Sequence, residues 1–457
     1  MNVIMKFGGT SVADAEAMMR VINIVRGQMA RFPNHTLPVV VVSAMSKVTD
    51  RLVETGRLAG QGDGEAAAAL LRDLLARHIN VAAGLVQGEA LDSMTAQLTQ
   101  DFNTLTEHVR GWAAHGEVSP QATDELLAMG ELASSRMVAA AFIGQKIPAA
   151  WVDSRKVLVT DNEHTAAVPD TDATCRRTHD LVASRTKAGE VPVLGGFIGA
   201  TEAGVTTTLG RGGSDYSAAI FGACLDVDEI QIWTDVDGML TADPRVVSDP
   251  QLVPQLSFSE ASELAYFGAK VLHPSTILPA VAKNIPVRIL NSRRPEVEGT
   301  MITADGRAHG PALTALACKR GVTVVDITST RMLMAFGFLR RLFEVFERFK
   351  TSVDVVTTSE VSVSVTVDNT RRLNDIVNNL EHFAEVNIEP DMAIVCIVGE
   401  NLRSDPSLFA RAMNALEGVP LRLVSQAASR RNITFVMRDA DVPNAMNRLH
   451  EAFFATV

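Results

Sequence analysis

Several short segments of the 457-residue chain set glycines beside a cation and hydroxyl or acid groups, at spacings that suit phosphate and carboxylate chemistry. The first, Lys6-Phe-Gly-Gly-Thr-Ser, follows an apolar run and precedes a helical pattern at 13–29. Two glycines let backbone N–H groups approach phosphate oxygens, the following helix directs its positive end at them, and one lysine there would neutralise a transferring phosphoryl group. A Gly-Gly turn after a strand is also an ordinary turn, so both readings stand on this segment alone. The second, Leu209-Gly-Arg-Gly-Gly-Ser-Asp-Tyr-Ser, wraps three glycines around Arg211 just before a helix begins. Arg211 suits bidentate carboxylate recognition and Ser214 adds a hydroxyl. Capping explains Ser214 or Asp215 but not three glycines around an arginine, which favours a ligand loop.

The third, Trp233-Thr-Asp-Val-Asp-Gly, runs on to Asp243-Pro-Arg245. A calcium loop fails here: with Asp235 at the third position the twelfth is Pro244, where a bidentate acid is required. A nucleotide contact at a strand end, with Arg245 near phosphates, and a plain acidic turn both remain open. Glu131 lies in a helical run of small and apolar residues and suits an ammonium group, against the plainer reading of a solvated helix face. In Phe267-Gly-Ala-Lys-Val-Leu-His-Pro, His273 reads as structural, because no Ser or Cys nucleophile motif accompanies it.

The elements that must position these residues follow from patterning. Apolar runs at 3–5, 39–42, 191–194 and 230–233 read as buried strands alternating with helices, which implies an α/β sheet with covered faces. Residues 64–144 are almost wholly helical in pattern and read as an insertion covering the sheet. A Pro- and Gly-rich stretch at 295–311 breaks both patterns and marks a domain boundary. Beyond it the order strand, helix, two strands, helix, strand occurs twice, predicting two βαββαβ-like halves of the kind that sense ligands or pair subunits.

Lys plus Arg number 42 against 53 Asp plus Glu, a formal charge of −11, and no basic run offsets it. Nucleic-acid and anionic-membrane binding are therefore not expected, and an anionic ligand must be met by a few local cations and N–H groups. The four cysteines are far apart without a Cys-x-x-Cys pair, so the spacing suggests neither zinc nor a disulfide framework. With no signal-peptide pattern and no membrane-length apolar stretch, a cytoplasmic protein is expected.

Taken together and in order, Lys6-Phe-Gly-Gly-Thr-Ser-Val, Leu209-Gly-Arg-Gly-Gly-Ser-Asp, Trp233-Thr-Asp-Val-Asp-Gly, Phe267-Gly-Ala-Lys-Val-Leu-His-Pro and Thr357-Thr-Ser-Glu-Val-Ser-Val resemble aspartate kinase over nearly the whole chain. The resemblance is to the monofunctional, lysine-sensitive kind. It implies an amino-acid-kinase three-layer αβα sandwich at 1–300, a linker at 301–314, and ferredoxin-like ACT domains at 315–390 and 391–457. No Gly-x-Gly-x-x-Gly is present, so no fused dehydrogenase is expected.

The implied reaction is transfer from ATP to L-aspartate, with Mg²⁺ carried by the phosphates and no protein metal site. The resemblance makes Lys6 and Asp215 catalytic, with Lys6, Gly8 and Gly9 at the phosphates. It puts Arg211 on the substrate α-carboxylate, Glu131 on its ammonium, and Ser43, Thr49, Gly212, Gly213 and Ser214 around the rest. Thr234, Asp235, Leu240, Arg245, Lys270 and Val271 fall at ATP-contacting positions, Leu240 where relatives often carry tyrosine. L-Lysine is the implied effector, at Met332, Ala335, Phe338, Leu339, Ser352, Val353, Asp354, Ser359 and Glu360. Ala335 replaces a serine of some lysine-sensitive relatives, which implies one hydrogen bond fewer. A homodimer through the ACT domains is also implied. The readings set against this are a catalytically silent ACT-domain sensor and another amino-acid kinase. A sensor has no reason to retain Lys6, Glu131, Arg211 and Asp215 together, and other amino-acid kinases generally lack the tandem tail.

Overall fold

The computed structural model describes residues 2–31, 37–268, 274–306, 313–332, 336–426 and 429–455. The chain divides into two compact units: Met1–Met239, Pro254–Phe258 and Val271–Gly306 form one, and Leu240–Val253, Ser259–Lys270 and Arg307–Val457 the other. Segments 240–253 and 259–270 thus group with the second unit, although the sequence reading set them in the first domain. Hydrogen bonds show why. The Thr241 carbonyl accepts the Leu316 N–H at 2.7 Å, and the Glu263 carboxylate takes the Ser429 hydroxyl and the Asn432 amide at 2.8 Å each.

In the first unit an eight-stranded sheet runs in the order Ala149–Val152, Val191–Gly195, Val39–Val42, Val3–Phe7, Glu229–Thr234, Val287–Asn291, Thr300–Thr303, Gln255–Ser257. Every neighbouring pair is parallel except Val287–Asn291 with Thr300–Thr303. Strands Val39–Val42 and Val191–Gly195 are apolar on both faces, as a doubly covered sheet requires, while Glu229–Thr234 sets Glu229 and Gln231 on one face and Ile230 and Ile232 on the other. Val3, Met5 and Phe7 join a core built with helices Ala15–Arg31 and Pro120–Gly144, while the Ile230 side chain packs at Gly222 of helix Gly213–Cys224. Helices therefore lie on both faces, the three-layer arrangement expected.

The helical stretch at 64–144 is present as helices Gly64–Ala83, Glu89–His115 and Pro120–Gly144. Asp63 caps the first through the Ala66 N–H at 3.0 Å, and Ser119 caps the third through Ala122 N–H at 3.1 Å with Pro120 in its first turn. Helix Pro120–Gly144 is long and apolar enough to cross a membrane by length and composition, but 78% of its most apolar window is buried within the fold. It is a core helix. Cys175 and Cys224, 49 residues apart, form a disulfide, against the sequence expectation of none. Helices Thr171–Thr178 and Gly213–Cys224 bring their Cα atoms to 4.8 Å, a proximity that chain spacing does not reveal.

The second unit holds one six-stranded antiparallel sheet in the order Val356–Thr358, Ser362–Val367, Leu313–Thr328, Glu385–Gly399, Asn432–Arg438, Leu423–Ser425. Two long strands, Leu313–Thr328 and Glu385–Gly399, each serve two ferredoxin-like modules, and the register shifts around Gly321, at φ +70°, where one module passes into the other. Residues 322–328 pack with helices Phe338–Arg348 and Leu373–Leu380. Leu313 and Leu316 instead sit in the second core with Ile397, Phe435 and Leu449. The first module is therefore inserted into the second, whose outer strand comes from upstream, and the modules do not follow one another end to end as the sequence reading had them.

Candidate active site

Of the sequence-predicted residues, Lys6, Asp215, Glu131 and Ser214 come together near the carboxyl ends of the parallel strands Val3–Phe7 and Val191–Gly195, where the chain leaves the sheet. Lys6 sits on strand Val3–Phe7 with its Nζ 2.6 Å from Asp215 Oδ1; the two side chains are 10% and 16% exposed. Asp215 lies in the first turn of helix Gly213–Cys224, whose N-terminus has no side-chain cap and follows Gly212 at φ 72°. Its charge suits that end of the helix, and its grip fixes the direction of Lys6. The Gly8-Gly9 turn is tied down by Gly8 N–H to the Trp233 carbonyl at 2.9 Å and by Ser46 N–H to the Gly9 carbonyl at 3.0 Å. Ser214 packs against the turn after strand Val191–Gly195: a Cβ on Gly196 would stand 2.6 Å from Ser214 Cβ, so only glycine fits.

Glu131 is buried, not on a solvated helix face. Its backbone lies against Gly195, where an added Cβ would be 3.0 Å from the Glu131 carbonyl oxygen. The carboxyl accepts the Ala44 N–H, yet Oε2 has no hydrogen-bond partner among the described residues. Burial pushes its pKa up to about 8, opposed by the Ala44 N–H and the Lys6 charge. A buried acid with an orphan oxygen beside a lysine is a poor structural solution and a good ammonium receptor.

Ser43 directly follows strand Val39–Val42. Ser43 N–H donates to the Phe7 carbonyl at 3.1 Å, and its carbonyl accepts the Ser134 hydroxyl at 2.7 Å, a tie that sequence reasoning missed. Thr49 opens helix Val48–Gly60, half-exposed. Arg211 projects exposed from its glycine loop, between Gly210 at φ 75° and Gly212, with its guanidinium unpaired among the described residues. At the end of strand Glu229–Thr234, Thr234 Oγ1 lies 3.3 Å from Asp235 Oδ1, and the Thr234 carbonyl accepts Ser292 N–H at 2.8 Å. Asp235 is exposed, while Asp237 is held by Asn291 and Arg294 at 2.7 and 2.6 Å.

Leu240 and Arg245 belong to the second unit. Leu240 bridges to Leu252, and the exposed Arg245 guanidinium is gripped by Asp243 at 2.6 Å rather than standing free for phosphate. Lys270, Val271 and His273 lie outside the described residues, as does Ala335.

Of the effector positions, Phe338 is buried in the first module's core, with Met332 and Val353 packed against it. Leu339, Ser352, Ser359 and Glu360 are exposed. Asp354 is not an open anion. Its side chain is 3% exposed, Lys319 Nζ holds both its oxygens at 2.8 and 2.9 Å, and the Tyr266 hydroxyl donates to Oδ1 at 2.9 Å. Lys319 also reaches Asp368 at 2.7 Å.

The amino acid kinase family model matches residues 1–291, and an ACT domain model matches 395–453. Lysine-sensitive aspartokinase 3 of Escherichia coli K12 is 34% identical, covering 99% of both chains, and chloroplastic aspartokinase 3 of Arabidopsis thaliana is 36% identical over all of this chain and 82% of its own. The chain belongs to the aspartokinases. Two crystal structures of E. coli aspartokinase III superpose over 99–100% of each chain. The complex with lysine and aspartate, described as the T-state, gives a TM-score of 0.82 at 34% identity, and the complex with aspartate and ADP, the R-state, 0.83 at 33%. The aspartokinase fold, an amino acid kinase unit followed by ACT modules, is thus the fold of this chain.

Proposed function

We propose that the chain transfers the γ-phosphoryl group of ATP to the side-chain carboxylate of L-aspartate, giving 4-phospho-L-aspartate and ADP, the first step toward lysine, threonine and methionine. The observation that carries this is the Lys6–Asp215 pair beside the partnerless buried Glu131 oxygen at the sheet's carboxyl end. An aspartate side chain, with an ordinary pKa near ~3.9, is already an anionic nucleophile, so no general base is needed. The obstacle is repulsion between carboxylate and triphosphate. Lys6 offsets it at the transferring group, with the Gly9 N–H of the glycine turn, while Asp215 orients Lys6. A carboxylate oxygen forms the new bond to Pγ as the bridging bond to the β-phosphate breaks and ADP departs. Glu131 takes the substrate ammonium, Arg211 its α-carboxylate, and Ser43, Thr49 and Ser214 the side-chain end.

Mg²⁺ enters on the phosphates and neutralises charge there. The protein acts in the cytoplasm. L-Lysine is the effector and binds the first ACT module, with Asp354 and Glu360 supplying anions once Lys319 yields. The same module exposes Phe336, Leu339 and Phe343, three and four residues apart, with Val356 on its edge strand. A second copy of the chain would cover this face. The test is ADP release across L-aspartate, D-aspartate and L-glutamate, with and without lysine or threonine. Strong preference for L-aspartate and inhibition by lysine are expected; equal rates without any amino acid would refute the assignment.

A further inference from the structure

Helix Pro120–Gly144 carries a second buried acid, Asp124, seven residues and so two turns before Glu131. Asp124 is fully buried, and among the described residues every hydrogen bond its carboxylate makes reaches one of two segments that flank the arginine loop. From residues 161–168, His164 Nδ1 lies 2.7 Å from Oδ2, and the Thr165 N–H donates to both oxygens at 3.0 and 3.1 Å. From strand Thr206–Thr208, the Thr208 hydroxyl donates to Oδ1 at 2.5 Å. The two segments are joined to each other as well, Ala167 N–H to the Thr208 carbonyl at 2.9 Å.

Thr208 stands three residues before Arg211. Thr165, itself at φ 70°, presents its carbonyl to Gly210, where an added Cβ would lie 3.1 Å away. The loop is tied on its far side to the helix start, by Gly213 N–H to the Gly210 carbonyl at 3.0 Å and by Asp215 and Tyr216 N–H to the Gly212 carbonyl at 3.0 and 3.1 Å, and on its near side by Leu209 N–H to the Phe197 carbonyl at 3.0 Å. Arg211, exposed and unpaired among the described residues, depends for its placement on the helix start after it and on the segment before it, and that segment is anchored on Asp124. A buried carboxylate is costly unless its oxygens are satisfied, and among the described residues this one is satisfied by these two segments, so the cost of its burial is met when they are in place.

We infer that Asp124 is a positioning residue for substrate binding: it fastens the start of the arginine loop to the helix that carries Glu131, and so sets the span between the cation and the acid that grip the two ends of an α-amino acid. The inference rests on the proposed substrate roles of Arg211 and Glu131. A 1 Å error in that span costs binding of the amino acid while leaving the nucleotide untouched.

Steady-state kinetics with aspartate and ATP varied separately tests it, on wild type, Asp124→Ala, Asp124→Asn, Thr208→Val and Arg211→Ala, each with a thermal melt. Asp124→Ala should raise KM for aspartate about tenfold or more with KM for ATP within about twofold. Asp124→Asn, which keeps an oxygen for Thr165 and Thr208, should recover most of that loss, and Thr208→Val should show a smaller rise of the same selectivity. If Arg211→Ala raises KM for aspartate but Asp124→Ala and Thr208→Val leave it unchanged, or raise both KM values together, Asp124 is only structural and the inference falls. If Arg211→Ala itself leaves KM for aspartate unchanged, the substrate reading fails and takes the inference with it.

Discussion

Replacing Glu131 by glutamine probes the charge balance on which substrate recognition depends. Burial raises the Glu131 pKa from its ordinary 4.5 to about 8. At ~1.4 kcal/mol per tenfold in proton affinity, ionising it in the empty site costs about 5 kcal/mol more than in water. At pH 7 only about one molecule in ten then carries the anion that an ammonium group requires, and apparent affinity falls by that fraction. KM for aspartate should therefore drop about eightfold from pH 7 to 8.5, as the ionised fraction rises to about three quarters. Glu131→Gln removes the pH dependence and raises KM by about a hundredfold, the loss of a buried ion pair worth ~3 kcal/mol. The sign for stability is the reverse. Between pH 4.5 and 8 the folded state keeps a proton that the unfolded state has lost, so Glu131 makes the fold less stable as pH rises through that window, and glutamine abolishes the slope. Coupled ADP-release kinetics from pH 6.5 to 8.5, with melts at the same pH values, read both effects. A flat wild-type KM, or the same slope in the variant, would refute the ammonium role.

Other outcomes follow from single contacts. Lys6→Met should lower kcat by about 10²–10³ with a melt close to wild type, because it removes the cation at the transferring group; a normal kcat contradicts its role. Lys319→Met should tighten L-lysine binding about tenfold by calorimetry, since the effector's ammonium no longer has to displace the chain's own from Asp354; weaker binding shows that Lys319 helps to build the site. His78, fully buried with Nδ1 2.7 Å from the Leu74 carbonyl, has its pKa lowered by burial to about 4. Its neutral form supports the fold above pH 6.5, and about 3 kcal/mol of that support is lost as pH falls from 6.5 to 4, a slope that His78→Leu should remove in pH-dependent denaturation. Cys175→Ser should cost about 4 kcal/mol under non-reducing conditions, from the chain entropy of a 49-residue loop, and nothing when wild type and variant are compared in excess reductant.

The strands and the glycine turns were legible because their signals are local. Four-residue apolar runs and the Lys6-Phe-Gly-Gly turn each declare themselves within a short window, and Lys6 and Asp215 do meet. Glu131 was singled out through the resemblance: its neighbours read as a solvated face, and what buries it comes from Ala44 and Gly195, far away in sequence. Asp124 stood in the same helical run without attracting notice, since its partners lie 40 and 84 residues on. The nesting of the two ACT modules was hidden for a related reason. Each long strand reads as one run, and which half pairs with which module is settled by register, not by composition. The Lys319–Asp354 pair and the Cys175–Cys224 bridge likewise depend on proximity that only the fold creates.

The measurement that bears most directly on the proposed chemistry is hydroxylamine trapping of the product formed from ATP and L-aspartate. One aspartyl hydroxamate per ADP with wild type, and both products formed about 10²–10³ times more slowly with Lys6→Met and far below wild type with Asp215→Asn, each of unchanged melting temperature, is the predicted result. ADP without hydroxamate, or full hydroxamate yield in both variants, would contradict phosphoryl transfer to the side-chain carboxylate at this site.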